Sequence, residues 1–446
     1  MSTTTGKRLS ADEVLGVLSR HILVDGYHVV MDLEKSRGSY LYDARSGRLL
    51  LDFFANFATC PIGYAHPKMG DPEFRERLLA ASLIKPANSD IYTAPYADFV
   101  ETFTRLAVPP SHTGHLFFVE GGAAGVENAL KTAFDWKVRV NLARGAGEKG
   151  TKILHFRNAF HGRTGYALSM TNTADPRKTR YFPVFDWPRL SCPKLRFPVT
   201  PEIEADVAAA EETVEREIRE ACASSPGEVA ALILEPIQGE GGDNHFRPGF
   251  LRKLRALADE LEFLLIFDEV QTGVGQTGSM WCWQQSGVEP DLFTFGKKTQ
   301  VCGFASNGRI DGVENVFRIS SRINSTWGGN LVDMVRCARY LEIIDEEDLV
   351  ANARTVGEHL LARLLEMAEE FPGIVSNVRG RGLFAALDLP DKETRDRVLA
   401  ACLEHGLIAL ASGASAVRFR PPLTLSVEEA DEGVRKLRRA IGAARN

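Results

Sequence analysis

An acid and a lysine, each standing just past the end of an apolar run, give this sequence its first chemical reading. One run, Leu264 to Phe267, stops at Asp268-Glu269, and a second, Leu292 to Phe295, stops at Gly296-Lys297-Lys298. Short apolar runs bounded by turn signals read as buried strands, and open α/β sheets bind ligands beyond the carboxyl ends of such strands. A lysine amine can hold an aldehyde as a Schiff base. A nearby acid can keep a pyridine nitrogen protonated, so that the ring draws electrons from a bound substrate. The pair therefore suits pyridoxal 5'-phosphate chemistry. On these residues alone, an ordinary buried ion pair beside a solvated lysine is the simpler reading.

Further polar clusters stand at strand ends. Glu120-Gly121-Gly122-Ala123-Ala124-Gly125 follows the apolar run Phe117–Val119. Small residues there let backbone N–H groups reach an anion, and a helix N-terminus adds partial positive charge. Gly122 and Ala123 could hold a phosphate in this way, or the glycines could simply mark a turn. Phe160-His161-Gly162-Arg163 supplies an aromatic that could lie on a ring and an arginine that could grip a carboxylate with two hydrogen bonds. Glu235 and Glu240 sit in a glycine-rich loop, Ser325 and Thr326 precede a helix, and Arg418 lies at the end of a C-terminal strand. Each cluster by itself reads as loop chemistry. Their shared position, where strands stop, is what singles them out.

The elements that must position these clusters are legible in outline. The chain has 446 residues, beyond the roughly 250–300 over which a single core usually grows, so two or three domains are expected. From about residue 100 strand and helix signals alternate: Leu116–Val119, a helix Val126–Arg144, Ile153–Phe156, a helical stretch Pro201–Ala223, Val229–Leu234, a helix Pro248–Leu261, then Leu264–Phe267. Such alternation predicts βαβ units and an α/β fold with a mostly parallel sheet. Beyond Asn330, helices Leu331–Glu346 and Val356–Phe371, strands near Leu383–Leu387 and Ala416–Phe419, and a helix Val427–Ile441 predict a smaller α+β unit. At the other end come a polar tail over residues 1–9, an amphipathic stretch Ala11–Ile22, and a hairpin Ser39–Phe54 turning at Arg45-Ser46-Gly47. The expected division is an N-terminal segment, 1–60, packing with the small domain, a large cofactor-binding domain, 61–330, and a small domain, 331–446.

Composition narrows the function classes. An apolar share of 44% and a charged share of 25% are ordinary for a globular protein. A net charge of -6, with scattered basic residues, argues against nucleic acid as a partner. No run approaches the ~18 apolar residues of a membrane span, and the N-terminus has no apolar targeting segment. Seven cysteines form no C-x-x-C pair and suit a reducing compartment, so a cytoplasmic location is expected.

Taken in order and spacing, the clusters resemble the class III aminotransferases from the hairpin near residue 40 to Pro422. DEVQTGVGQTG followed by PDLFTFGK is the specific part. The resemblance implies the fold type I architecture of pyridoxal phosphate enzymes, and a homodimer with active sites at the subunit interface. It implies Lys297, not Lys298, as the residue bound to the cofactor, Asp268 under the pyridine nitrogen, Gln271 near the ring hydroxyl and the substrate, and Phe160 stacked on the ring. Gly122 and Ala123 would hold the phosphate, helped by Thr326 of the neighbouring subunit, and Ser325 would also contact the cofactor. The chain departs from the family where serine, glycine, a small residue and glutamate usually stand. Gly121, Gly122, Ala123 and Ala124 occur there, so the phosphate site must rely on backbone donors.

Within the class, EPIQGEGGDNHFRP, FGKKTQVCG, NSTWGGNL and VRFRPPLT are most similar to members that act on the ε-amine of L-lysine. The resemblance then implies transfer of that amine to 2-oxoglutarate, leaving 2-aminoadipate 6-semialdehyde and L-glutamate. Arg163 would grip the distal carboxylate of either substrate, and Arg418 the second carboxylate that only glutamate brings near the ring. Glu240 would neutralise Arg418 while lysine is bound. The alternatives are an ornithine or 4-aminobutyrate donor, and a non-catalytic binding module on the same fold.

Overall fold

A computed structural model describes residues 9–444, so the expected polar tail lies, except for Leu9, outside the described residues. Its centre is a seven-stranded sheet in the spatial order His115–Val119, Cys302–Ser306, Leu292–Phe295, Leu264–Asp268, Val229–Leu234, Lys152–Phe156, Arg189–Leu190. Cys302–Ser306 runs antiparallel to both its neighbours, and the other pairings are parallel. That antiparallel strand was not anticipated. Its sequence, Cys-Gly-Phe-Ala-Ser, is too short and too rich in small residues to announce a strand.

Val229–Leu234 and Leu264–Asp268 are buried at every position, as expected of strands covered on both faces. Their side chains alternate between two cores. Leu265 and Phe267 join Phe99, Phe103, Phe293 and Phe295 on one face. Leu264 and Ile266 join Val126, Ala129 and Phe304 on the other. The helix Gly122–Ala143 supplies that second core through Val126, Ala129, Leu130, Ala133, Trp136 and Val140, an apolar stripe at helical spacing. By the same alternation Asp268 continues the face of Leu264 and Ile266, the face covered by that helix. Glu269 turns the opposite way.

The remaining strands make two smaller sheets. Ser376–Arg381, Phe384–Asp388, Ala416–Phe419 and Leu410–Ser412 form a four-stranded antiparallel sheet. The hairpin Tyr40–Asp43 and Arg48–Asp52 pairs as expected, and Leu407–Ile408 adds to it in parallel. The long helix expected over Val356–Phe371 begins earlier, at Leu349. Its first turns bury Leu349 and Ala353, whose spacing continues the same apolar stripe. Among the described residues no helix is long and apolar enough to cross a membrane.

Candidate active site

The carboxyl ends of the parallel strands open into one cavity of about 370 Å³. Gly122, Ala123, Phe160, Asp268, Gln271 and Lys297 all line it. Residues from positions 122 to 297 thus meet because each follows a strand of the same sheet.

Asp268 is buried and fully engaged. Its Oδ2 faces His161 Nδ1 at 2.8 Å, while Oδ1 accepts from the Thr294 hydroxyl at 3.0 Å and the Val270 amide at 3.1 Å. Thr294 stands opposite Asp268 in the strand register, so the sheet itself sets that contact. Burial opposes a charge on His161, but the hydrogen bond to Asp268 and its charge, with Glu235 behind it, carry the imidazole pKa above its ordinary value. Glu235 also lines the cavity, accepting from the Phe160 amide at 2.9 Å and the Gly239 amide at 3.0 Å. Burial raises its pKa to about 7 against the pull of His161, with Asp268 adding to the rise. His161 lay in the Phe-His-Gly-Arg motif and Glu235 in the glycine-rich loop, but neither was given a role from sequence. A polar residue directly beside a strand end was the available signal.

Lys297 lines the same cavity as this group. Burial, then the charge of Arg418, lowers its amine pKa below the ordinary 10.5, with Asp268 pulling the other way. Its backbone is left-handed at φ 53°, a conformation costing a non-glycine residue about 1 kcal/mol or more. Gln300, whose Nε2 donates to the Lys297 carbonyl at 3.0 Å and the Thr59 carbonyl at 2.8 Å, braces the turn. Lys298 is not the solvated lysine that the simpler reading required. It is buried, and its amine donates to the Gln271 carbonyl at 2.8 Å, outside the cavity lining.

The turn expected to bind an anion forms where the glycines stand. Gly121 has φ 93°, a region that glycine enters freely, and the helix starts at Gly122 with first N–H groups that have no intrahelical partner. Gly162 lies against that start so closely that a Cβ on it would come within 2.5 Å of the Ala123 Cβ. The Phe160–Gly162 loop and the helix start therefore form one wall.

Arg418 and Glu240 meet beside the cavity. Arg418 Nη2 donates to Glu240 Oε2 at 2.5 Å and Nη1 to Gln271 Oε1 at 3.3 Å. The arginine side chain is only 2% exposed. Arg163, Ser325 and Thr326 are not gathered in. Arg163 is exposed just beyond Gly162, Thr326 is exposed and Ser325 half-buried, and among the described residues no hydrogen bond or ion pair engages the Arg163 guanidinium.

Glu269, on the opposite face from Asp268, accepts from the Trp283 amide at 2.8 Å and from the Thr272 hydroxyl. Burial raises its pKa from 4.5 to about 7, against those hydrogen bonds and the charge of Lys298. Between these two values the folded state binds more protons than the unfolded chain, so this group's contribution falls as pH rises through about 7. Glu269→Gln cannot ionise. Its thermal midpoint, relative to the wild-type chain, should climb between pH 5 and pH 8 in a calorimetric series. A flat difference would assign the titration elsewhere.

Comparison with known proteins converges on the same chemistry. The family described as Aminotransferase class-III matches residues 23–441. The L-lysine-epsilon aminotransferase of Mycobacterium tuberculosis is 50% identical, over 98% of this chain and 97% of its own length. That of Amycolatopsis lactamdurans is 48% identical, over 97% of this chain and 96% of its own. The solved structure of lysine aminotransferase from M. tuberculosis superposes with a TM-score of 0.95 at 50% identity, covering 98% of this chain and 100% of that one. With the family model spanning residues 23–441 and relatives about half identical over almost the whole chain, the chain belongs to the class III aminotransferases.

Proposed function

We propose that the enzyme transfers the terminal ε-amino group of L-lysine to 2-oxoglutarate. The products are 2-aminoadipate 6-semialdehyde, which cyclises to piperideine-6-carboxylate, and L-glutamate. The Glu240–Arg418 pair at the cavity edge carries this reading. L-Lysine presents a distal amine on an uncharged chain, whereas glutamate brings a second carboxylate close to the reacting carbon. A bare buried arginine beside the lysine chain would be unfavourable by several kcal/mol. Glu240 neutralises it for lysine and releases it for the dicarboxylate. The near-half identity to lysine-epsilon aminotransferases over almost the whole chain supports the donor.

Pyridoxal phosphate, when bound, supplies an electron-withdrawing ring that stabilises negative charge at the substrate carbon. The residues present fit it: a half-buried lysine, a buried paired carboxylate and a glycine-rich helix start surround one cavity. In the proposed scheme Asp268, buttressed by His161, would hold a proton at the ring nitrogen. Phe160 forms an apolar wall, Gln271 would sit near the ring hydroxyl, and the Gly122 and Ala123 amides would hold the phosphate. Lys297 would anchor the cofactor through its amine and take up or return the proton at the substrate carbon. Arg163 receives the distal carboxylate of each substrate.

Exposed Arg163 and Thr326 and half-buried Ser325 suit a site completed by a second copy. Ser89 Oγ donates to the Ser325 carbonyl at 2.5 Å and the Asn88 amide to the Trp327 carbonyl at 3.3 Å. These bonds tie the Ser325–Thr326 loop to a segment where Leu83, Ile84, Ile91 and Tyr92 are 73%, 72%, 67% and 77% exposed. An apolar surface of this kind favours burial in an interface, and the homodimer is proposed on it. The proposed division of the chain remains 1–60 with 331–446 against 61–330, supported by the strand Leu407–Ile408 joining the N-terminal hairpin. The free cysteines among the described residues support a reducing, cytoplasmic compartment.

Donor profiling with 2-oxoglutarate as acceptor, with products identified by mass, tests the activity. Ornithine or 4-aminobutyrate outrunning L-lysine would overturn it. Glu240→Ala should slow the L-lysine half-reaction and spare that of L-glutamate, with a shift of about 1.4 kcal/mol read as a tenfold change in the rate ratio. Equal slowing of both half-reactions would make the pair structural.

A further inference from the structure

The Glu240 carboxylate has two cationic partners, not one. Oε2 takes Arg418, and Oε1 takes the amine of Lys178. Lys178 ends the short turn Pro176–Lys178, and its amine lies 5.6 Å from the centroid of the Phe160 ring, at the edge of the active-site cavity. Both Glu240 and Lys178 line a second cavity of about 710 Å³. Other cations line it too, but Arg177 is engaged by Asp175, and Lys392 and Arg395 by Asp396. Among the described residues, Glu240 is the one carboxylate paired with Lys178.

We propose that Lys178 is a positioning residue for the dicarboxylate half of the reaction, holding Glu240 when that side chain leaves Arg418. This inference rests on the switch proposed above and deepens it. Arg418 is 2% exposed and bound to Gln271, so it cannot follow a departing carboxylate. Glu240 is 23% and Lys178 14% exposed, and both border the larger cavity, which gives the carboxylate somewhere to go. With Arg418 alone as partner, opening would leave Glu240 bare in a site largely withdrawn from water, a state that strongly resists forming. With Lys178 in place, Glu240 exchanges two partners for one. Lys178 thus matters more in the open state than in the closed state, and its removal biases the enzyme against glutamate and 2-oxoglutarate.

The test uses the cofactor-loaded enzyme with Lys178→Met, Lys178→Arg, Glu240→Ala and the Lys178→Met/Glu240→Ala double variant. Two readings are taken: the ratio of single-turnover rates for L-glutamate and L-lysine, and the equilibrium Kd for glutarate by calorimetry. Glutarate has the carboxylate spacing of glutamate and no amine to react. Lys178→Met should lower the glutamate-to-lysine ratio and weaken glutarate binding, each about tenfold. Lys178→Arg should recover most of both. In the Glu240→Ala background the same substitution should leave glutarate affinity unchanged, because the carboxylate it positions is gone. Equal weakening in both backgrounds would mean that Lys178 attracts anions directly, and would overturn the proposal. If Glu240→Ala shifts the rate ratio but Lys178→Met does not, the role given to Lys178 fails and the switch survives. If neither shifts it, the switch and the role fall together.

Discussion

Lys297→Ala is expected to abolish turnover with L-lysine, a loss of at least about 10⁴-fold. Loss of a positioned proton-transfer group alone removes roughly 10²–10⁴, and the covalent anchor of the cofactor goes with it. The environment of the amine explains why this lysine serves. Burial and the charge of Arg418 favour its neutral form, so it is available as a nucleophile toward a carbonyl and as a base toward carbon. The same environment works against stability. A lysine whose folded pKa lies below its unfolded value binds fewer protons when folded, so the penalty is present at pH 7 and fades only as pH rises toward 10.5. Lys297→Met, similar in length and uncharged, should therefore raise the thermal midpoint of the cofactor-free protein at pH 7 while remaining inactive. Lys298→Met should keep turnover within about tenfold, since that amine meets the Gln271 carbonyl outside the cavity. An active Lys297 variant beside a dead Lys298 variant would reverse the assignment.

The difference between these neighbouring lysines shows what the sequence could and could not express. Apolar runs fix where strands stop, and the stops at Val119, Phe156, Leu234, Asp268 and Phe295 were legible to within a residue. Because ligands gather beyond the carboxyl ends of parallel strands, most of the cavity lining followed from those stops. Which of two adjacent lysines enters the cavity depends on a left-handed turn at Lys297, and that conformation has no local signature in a non-glycine residue. The choice came from family resemblance alone. His161 was hidden for another reason: its significance lies in a 2.8 Å contact with Asp268, 107 positions along the chain. Lys178 was hidden in the same way, since it reaches Glu240 from a loop that carries no strand or helix signal. Glu240 and Arg418, named as partners on resemblance, do form an ion pair, although the structure brings them to the cavity edge and not into its lining. Arg163, Ser325 and Thr326, expected at the site, stand outside the cavity of the single chain.

Asp268→Asn is expected to leave the fold intact and slow the L-lysine half-reaction by about 10²–10³-fold or more. The amide can reproduce the shape of the site. Its oxygen can accept from the Thr294 hydroxyl and Val270 amide that now meet Oδ1. Its NH₂ can donate to His161 Nδ1, now 2.8 Å from Oδ2, once that imidazole is neutral. No buried group newly loses its partner, since His161 Nε2 is already without one among the described residues, so the large stability loss of a newly orphaned donor is avoided. What disappears is the charge. A neutral amide no longer favours a proton at the cofactor's ring nitrogen, and it no longer supports a charged His161. Charge-assisted hydrogen bonds are about twice as strong as neutral ones, and preorganised groups facing developing charge in a dry site are worth about 10²–10³ in rate when one is lost. Single-turnover absorbance with L-lysine measures the rate, and a thermal midpoint near that of the wild-type chain verifies the fold. Near-normal rates in a folded variant would remove Asp268 from the chemistry and leave it a purely structural partner of His161.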